Sequence, residues 1–195
     1  MTVIHTTVPS PVGELLLVGE ECAAAPGGTA LAAVSVPGQK GGAVVQDDWV
    51  HAPDAFTEIA AQLAEYFAGR RTRFDFVPVP TGTEFQQRVW GAVDDIPYGS
   101  TRSYGEVTAT IGAPRGATRA VGAAVGANPL SILRPCHRVV GADGALTGYA
   151  GGLARKRQLL LLEGATRIVA GAPPVPPEHS NAQVQAGFAG RSPSR

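Results

Sequence analysis

Apolar residues early in the chain come in short runs cut by glycine and proline. Residues 3–8 (VIHTTV), 13–18 (GELLLV) and 30–36 (ALAAVSV) therefore predict strands. The tight "SPVG" at 10–13 makes the first two a hairpin. The pattern then changes period. Phe56, Ile59, Ala60, Leu63 and Phe67 recur at helical spacing, which predicts an amphipathic helix over 54–68 with Gly69 at its C-terminal cap. "FDFVPV" at 74–79 reads as a further extended stretch.

The second half is helical. Thr83 and Gln86 have capping-box spacing ahead of Phe85, Val89, Trp90 and Val93, so a helix runs to about residue 94. Ser103 and Glu106 repeat that signature and open a short helix to Ile111. "GAP" at 112–114 breaks it, and a third helix covers 115–126. Two short helices around a glycine turn outline a helix-turn-helix. The third helix is made almost entirely of small residues, Gly116, Ala117, Ala120, Gly122, Ala123, Ala124 and Gly126, with Arg119 as the long side chain near its middle. Such a surface suits close approach, either of a packed neighbour or of a nucleic-acid groove. A strand follows "RPCHRVV", then the Asp143-Gly144 turn, the "GYAGG" loop at 148–152 and a last helix over 153–163. The domains expected are thus 1–81, 82–170 and a disordered tail at 171–195 that carries five prolines and three glycines.

Composition narrows the class. Hydrophobic residues make up 44% and charged residues 16%, which excludes an intrinsically disordered chain. No stretch is long and apolar enough to span a bilayer, and the first residues lack a signal-peptide pattern, so no membrane association and a cytoplasmic location are expected. The zero net charge is unevenly spread: −5 over 1–81, +3 over 82–165 and +2 over 166–195. The basic second half suits an anionic partner.

Only two cysteines are present, Cys22 and Cys136, which is no disulfide framework. His5, Cys22 and His51 are the sole candidates for a metal site, and without a CxxC or HxxxH pair none is expected. Cys136 is flanked by His137 and Arg138, groups able to lower a thiol's pKa. After Glu106 the acidic residues before position 166 are Asp143 and Glu163, and Glu163 lies at the end of an apolar helix, where a carboxylate needs a partner. Local chemistry therefore suggests Cys136–His137–Glu163. Neighbours on a strand point to opposite faces, so His137 is expected to reach Cys136 through a water. On these residues alone, an inert core cysteine stands as well as a reactive one.

"PCHRVV", with "RAVGAAVGANP" before it and "GYAGG" after it, resembles the signature of the O6-alkylguanine-DNA alkyltransferases, the methylated-DNA–protein-cysteine methyltransferases. The resemblance runs over 82–165 through "FQQRVW" and "IPYGSTRSYGEVTATIGAP", and more weakly over 1–81 through "SPVGELLLVG" and "LAEYFAG". It implies an α/β (α+β) fold: a small ribonuclease H-like N-terminal domain and a mainly helical C-terminal domain whose helix-turn-helix accompanies the active-site cysteine. It implies a single-turnover enzyme that binds double-stranded DNA in the minor groove, flips out O6-alkylguanine and moves the alkyl group irreversibly to Cys136; no cofactor is expected. In that scheme His137 takes the thiol proton through a water and Glu163 orients it. Tyr104 donates a proton to the leaving base and turns a phosphate. Arg119 fills the vacated stack, and Ala117 and Ala120 sit in the groove. Asn128 ties the helix-turn-helix to the active-site loop, and Tyr149, Ala150 and Val139 border the substrate pocket. The protein is expected to act as a monomer, and the sequence leaves open whether several molecules bind DNA cooperatively.

Two positions depart from the family pattern. Arg134 stands where an apolar residue is usual, and is expected to be exposed or paired with an acid. Ala150 replaces a serine often found there, which removes one hydrogen bond to the base. Cys22 is off the register of the zinc ligands of some relatives, so no structural zinc is expected.

Overall fold

Two hydrophobic periods produce two structural layers. The computed structural model of the protein describes residues 2–165; the expected tail lies outside the described residues. The short apolar runs form β1 (Val3–Val8), β2 (Leu15–Glu21) and β3 (Thr29–Ser35), joined by two further pairings, β4 (Val50–His51) and β5 (Val77–Pro78). The sheet order is β4-β1-β2-β3-β5, antiparallel at its centre and parallel at both edges. The β1–β2 turn closes at Gly13, whose φ of 106° favours glycine, and the Ser10 hydroxyl donates to the Gly13 carbonyl at 2.6 Å. Of the expected extended stretch at 74–79, only Val77 and Pro78 pair, because Asp75 is clasped instead by the Gln62 side chain at 2.8 and 3.0 Å.

A 3₁₀ turn at Pro53–Phe56 leads into α1 (Thr57–Phe67). The helix buries Phe56, Ile59, Leu63 and Tyr66 against Leu15, Leu17 and Leu31 of the sheet. Each such side chain contributes about 1.5–3 kcal/mol. Gly69 ends the helix at φ 70°, with its N–H on Tyr66 O at 2.9 Å and that of Arg70 on Glu65 O at 2.9 Å, the paired bonds of a Schellman cap.

Both predicted capping boxes form, on α2 (Glu84–Asp94) and α3 (Tyr104–Thr110). A 3₁₀ turn at Arg115–Ala117 precedes α4 (Thr118–Gly126), and α2, α3 and α4 enclose a second core around Val89, Val93, Val107, Val121 and Val125. The last helix, α5 (Leu153–Leu162), buries Leu159 and Leu160. Two minor strands, β6 (Arg102–Ser103) and β7 (Val139–Val140), pair in parallel and bring the start of α3 beside the Cys136 segment. Cys136–Arg138 is a 3₁₀ turn and not the start of the strand, which begins one turn later at Val139.

The halves are not merely tethered. The segment between α4 and Cys136 lies along β3: Val34 N–H donates to Pro129 O at 2.9 Å and Ser131 N–H to Val34 O at 3.0 Å. Leu130, Ile132 and Leu133 complete the core beneath the sheet. The N-terminal sheet therefore supports the loop that carries the cysteine.

Candidate active site

The loop from Asn128 to Cys136 is held from within by Asn128. This buried amide donates to Arg134 O at 3.0 Å and to Cys136 Sγ at 3.2 Å, while its oxygen accepts from Leu130 N–H at 3.0 Å. Ile132, at φ 74°, is the one non-glycine with a positive φ among the described residues. A β-branched residue in that region is strained by about 1–3 kcal/mol, and the surrounding hydrogen bonds and packing hold it there.

Cys136 is 6% exposed and opens onto a cavity of about 530 Å³ lined by Tyr104, Gly122, Val125, Asn128, Tyr149 and Ala150, among others. That volume leaves ample room for a nucleobase. Burial pushes the Cys136 thiol up, while the Asn128 hydrogen bond and the Lys156 and Arg134 charges oppose the rise. The resting group is thus a neutral thiol that needs a proton acceptor.

Behind it stands the expected relay. His137 is fully buried, and its Nε2 lies 2.8 Å from Glu163 Oε1. A carboxylate can only accept, so Nε2 carries the proton and Nδ1 is left as the basic nitrogen. Nδ1 is buried without a protein hydrogen-bond partner among the described residues. Burial keeps His137 below the ordinary imidazole range despite Glu163. Glu163 is the residue just beyond α5. Its Oε1 also accepts from Tyr66 Oη at 2.7 Å and Arg138 Nη2 at 2.9 Å, and its Oε2 from Arg138 Nε at 2.8 Å and Gly99 N–H at 3.3 Å. Burial alone would raise this carboxyl, but the His137 and Arg138 bonds outweigh it and bring it down to about 2.

Lys156 is a further buried cation. Its ammonium donates to the carbonyls of Val139, Thr147 and Gly148 at 2.5, 2.8 and 3.0 Å, and burial lowers it to about 8. It pins the 147–150 loop over the cavity. Tyr104 Oη donates to Thr147 O at 3.0 Å, and burial raises its pKa.

Most of the residues expected at the site converge here: Cys136, Asn128, Tyr104, Tyr149 and Ala150 line the cavity, with His137 and Glu163 behind the thiol. Val139 is fully buried, packed in the helical core with Cys136 and Tyr149, and its carbonyl accepts from Lys156; it is not among the residues lining the cavity. Arg119 and Ala120 are exposed on α4, and Ala117 is half-buried in the turn before it. Arg134 is 8% exposed and paired with Asp94 at 3.1 Å, its guanidinium 4.9 Å over the Trp90 ring. It is not among the residues lining the cavity. His5 and His51 pair across β1 and β4 with ring centroids 5.4 Å apart, yet no group of three metal-binding side chains forms among the described residues. Sequence reasoning missed Tyr66, Gly99, Arg138 and Lys156 as neighbours of the relay; the one local signal was an arginine beside the histidine. No helix among the described residues is long and apolar enough to cross a membrane.

A family model described as the DNA binding domain of 6-O-methylguanine DNA methyltransferase matches residues 84–165, and one described as its ribonuclease-like domain matches residues 3–81. The chain is similar to the methylated-DNA–protein-cysteine methyltransferase of Methanosarcina acetivorans, 48% identical over 156 residues covering 80% of this chain and 95% of that protein. The protein of the same name from Mycolicibacterium paratuberculosis is 50% identical over 162 residues, 82% of this chain and 91% of that one. Among solved structures, Mycobacterium tuberculosis OGT in complex with DNA superposes with a TM-score of 0.73 at 46% identity, over 87% of this chain and 96% of that chain. With both halves matched in order, the chain belongs to the 6-O-methylguanine DNA methyltransferase family.

Proposed function

We propose that the protein repairs DNA by taking the alkyl group of O6-alkylguanine onto Cys136, once per molecule. The observation that carries this is a cysteine lining a cavity with room for a nucleobase, backed by a buried His137–Glu163 pair that leaves Nδ1 free to accept a proton. His137 takes the thiol proton through one bridging water as sulfur attacks the alkyl carbon. The S–C bond forms as the C–O6 bond breaks, and the electron pair moves onto the purine. Tyr104, on the cavity wall, gives its proton to the leaving base. The Glu163 carboxylate stabilises the imidazolium in a site where burial would otherwise oppose it. The product thioether is stable, so the protein is consumed.

DNA is the partner, bound through α3 and α4. The exposed small residues of α4, Ala120 among them with Ala117 in the turn before it, fit a minor groove about 6 Å wide. Arg119 projects from the same helix and enters the stack, offsetting part of the few kcal/mol that flipping a base costs. Asn128 couples that helix to the thiol. Tyr149 and Ala150, in the loop pinned by Lys156, close over the base. The domain division at residue 82 separates a supporting sheet from the DNA-binding half. The protein works as a monomer in the cytoplasm, where a reducing environment preserves the thiol.

The test is intact mass after mixing with duplex DNA bearing one O6-methylguanine, then peptide mapping. A protein one methyl group heavier, modified at Cys136 and unable to react again, is the expected outcome. An unchanged mass with damage-selective binding would make the protein a sensor and overturn the assignment.

A further inference from the structure

Glu163 receives a donor from the other half of the molecule. Tyr66, near the end of α1, is fully buried, and its Oη lies 2.7 Å from Glu163 Oε1, across 97 residues of chain. That oxygen is the one His137 uses. The Tyr66 ring is fixed by Phe67, Phe74 and Tyr98, at centroid distances of 5.3, 5.2 and 6.1 Å.

We propose that Tyr66 is a positioning residue for alkyl transfer: from the N-terminal half it holds the Glu163 carboxylate in place and tempers its hold on His137. This rests on the transfer chemistry proposed above. A buried tyrosine hydroxyl always seeks a partner, but two features separate this contact from ordinary satisfaction. First, Oε1 already has His137 and Arg138 as donors, so its lone pairs are filled without Tyr66. Second, burial and the adjacent Glu163 charge push the phenol far above its ordinary pKa, which makes Tyr66 a permanent donor. A third donor on one oxygen draws charge from the atom that must stabilise the imidazolium.

The sign follows. Without the phenol, Glu163 keeps more charge on Oε1 and binds a protonated His137 more strongly, so the His137 pKa moves up. The other groups facing the pair stay as they are: Arg138 on both carboxylate oxygens, Gly99 N–H on Oε2, and Lys156, Tyr98 and the Cys136 thiol nearby. A histidine that holds its own proton cannot take one from Cys136. The acid limb of transfer therefore moves to higher pH, and on that limb the rate falls tenfold for each pH unit of movement.

The experiment compares wild type, Tyr66→Phe and Tyr98→Phe. The ¹⁵N resonances of the His137 ring are titrated in the free protein, and single-turnover methyl transfer is followed over the same pH range. Tyr98 donates to Leu162 O at 3.3 Å and not to the carboxylate, so Tyr98→Phe leaves the His137 titration in place. Tyr66→Phe moves both the titration and the acid limb upward. An unmoved titration in folded Tyr66→Phe overturns the proposal, even if transfer slows. Should that variant fail to fold, fluorotyrosine placed at position 66, a stronger donor, must move the His137 titration downward; no movement overturns the proposal equally. The ring titration needs neither DNA nor transfer, so its result is separate from whether Cys136 accepts methyl.

Discussion

Replacing Glu163 by glutamine tests the energetics of the relay directly. The carboxylate accepts from Tyr66, His137, Arg138 and Gly99, and its side chain has no solvent exposure. Its fall from the ordinary 4.5 to about 2 corresponds to about 3 kcal/mol of folding stability at neutral pH. Glutamine removes the charge and turns an amide N–H₂ toward Arg138, which donates to both carboxylate oxygens and cannot accept, leaving that guanidinium buried without its anion. The expected loss is about 3–5 kcal/mol, a large share of the roughly 5–15 kcal/mol of a typical domain. The assay is urea unfolding at pH 7, 5 and 3, followed by tryptophan fluorescence. A depressed carboxyl stabilises above its unfolded pKa and loses that contribution as pH falls through the folded value. Wild type should therefore weaken between about pH 4.5 and 2, and Glu163→Gln should lack that part, so the two curves converge in acid. His137, held neutral by burial, adds a decline below its ordinary 6.5 because the unfolded chain takes up the proton first, and in Glu163→Gln, which lacks the charge that raises His137, that decline reaches to lower pH. Parallel curves, or a difference under about 1 kcal/mol at pH 7, would refute the claim that this carboxylate is stabilised by its donors.

Three further substitutions have distinct expectations. Asp94→Ala strands the Arg134 guanidinium, whose side chain is 10% exposed against 41% for Asp94, and should cost about 2 kcal/mol. Arg134→Leu, which restores the usual apolar residue, should cost under about 1 kcal/mol, and the double variant should fall near it; urea unfolding of the three proteins decides whether the pair is coupled. Ala120→Leu, on the exposed face of α4, should leave stability within about 0.5 kcal/mol while weakening duplex binding at least about tenfold, read by fluorescence anisotropy; unchanged binding would remove α4 from the DNA interface.

Much of this site was legible in the chain because its signals are local. The hairpin turn at 10–13, the helix ending at Gly69 and both capping boxes rest on bonds among residues no more than five apart, so short-range pattern suffices to find them. The Cys136-His137 pair is adjacent in sequence, and the scarcity of carboxylates after Glu106 left Glu163 as its natural partner. What short-range pattern missed is of another kind. The full burial of Val139 depends on what its strand pairs with, and β6 lies 37 positions earlier. Tyr66 lay outside the predicted apolar stripe of α1, where Phe67 was placed, because its polar end makes sense only against a carboxylate 97 residues away.

The family resemblance marked Cys136 as the nucleophile, and the sequence by itself determined the first hairpin, most of the helices and their capping boxes, and His137 with Glu163 as the candidate relay. These follow from backbone propensity, capping and the ordinary chemistry of side chains. Tertiary structure alone decided that Glu163 carries a full charge in a dry interior, that Arg134 turns away from the cavity onto Asp94 and Trp90, and that the N-terminal sheet and Tyr66 support the reactive loop. The physical reason is the same in each case. The energy of a buried charge or a strained turn is set by the donors that surround it, and here those donors come from both halves of the chain.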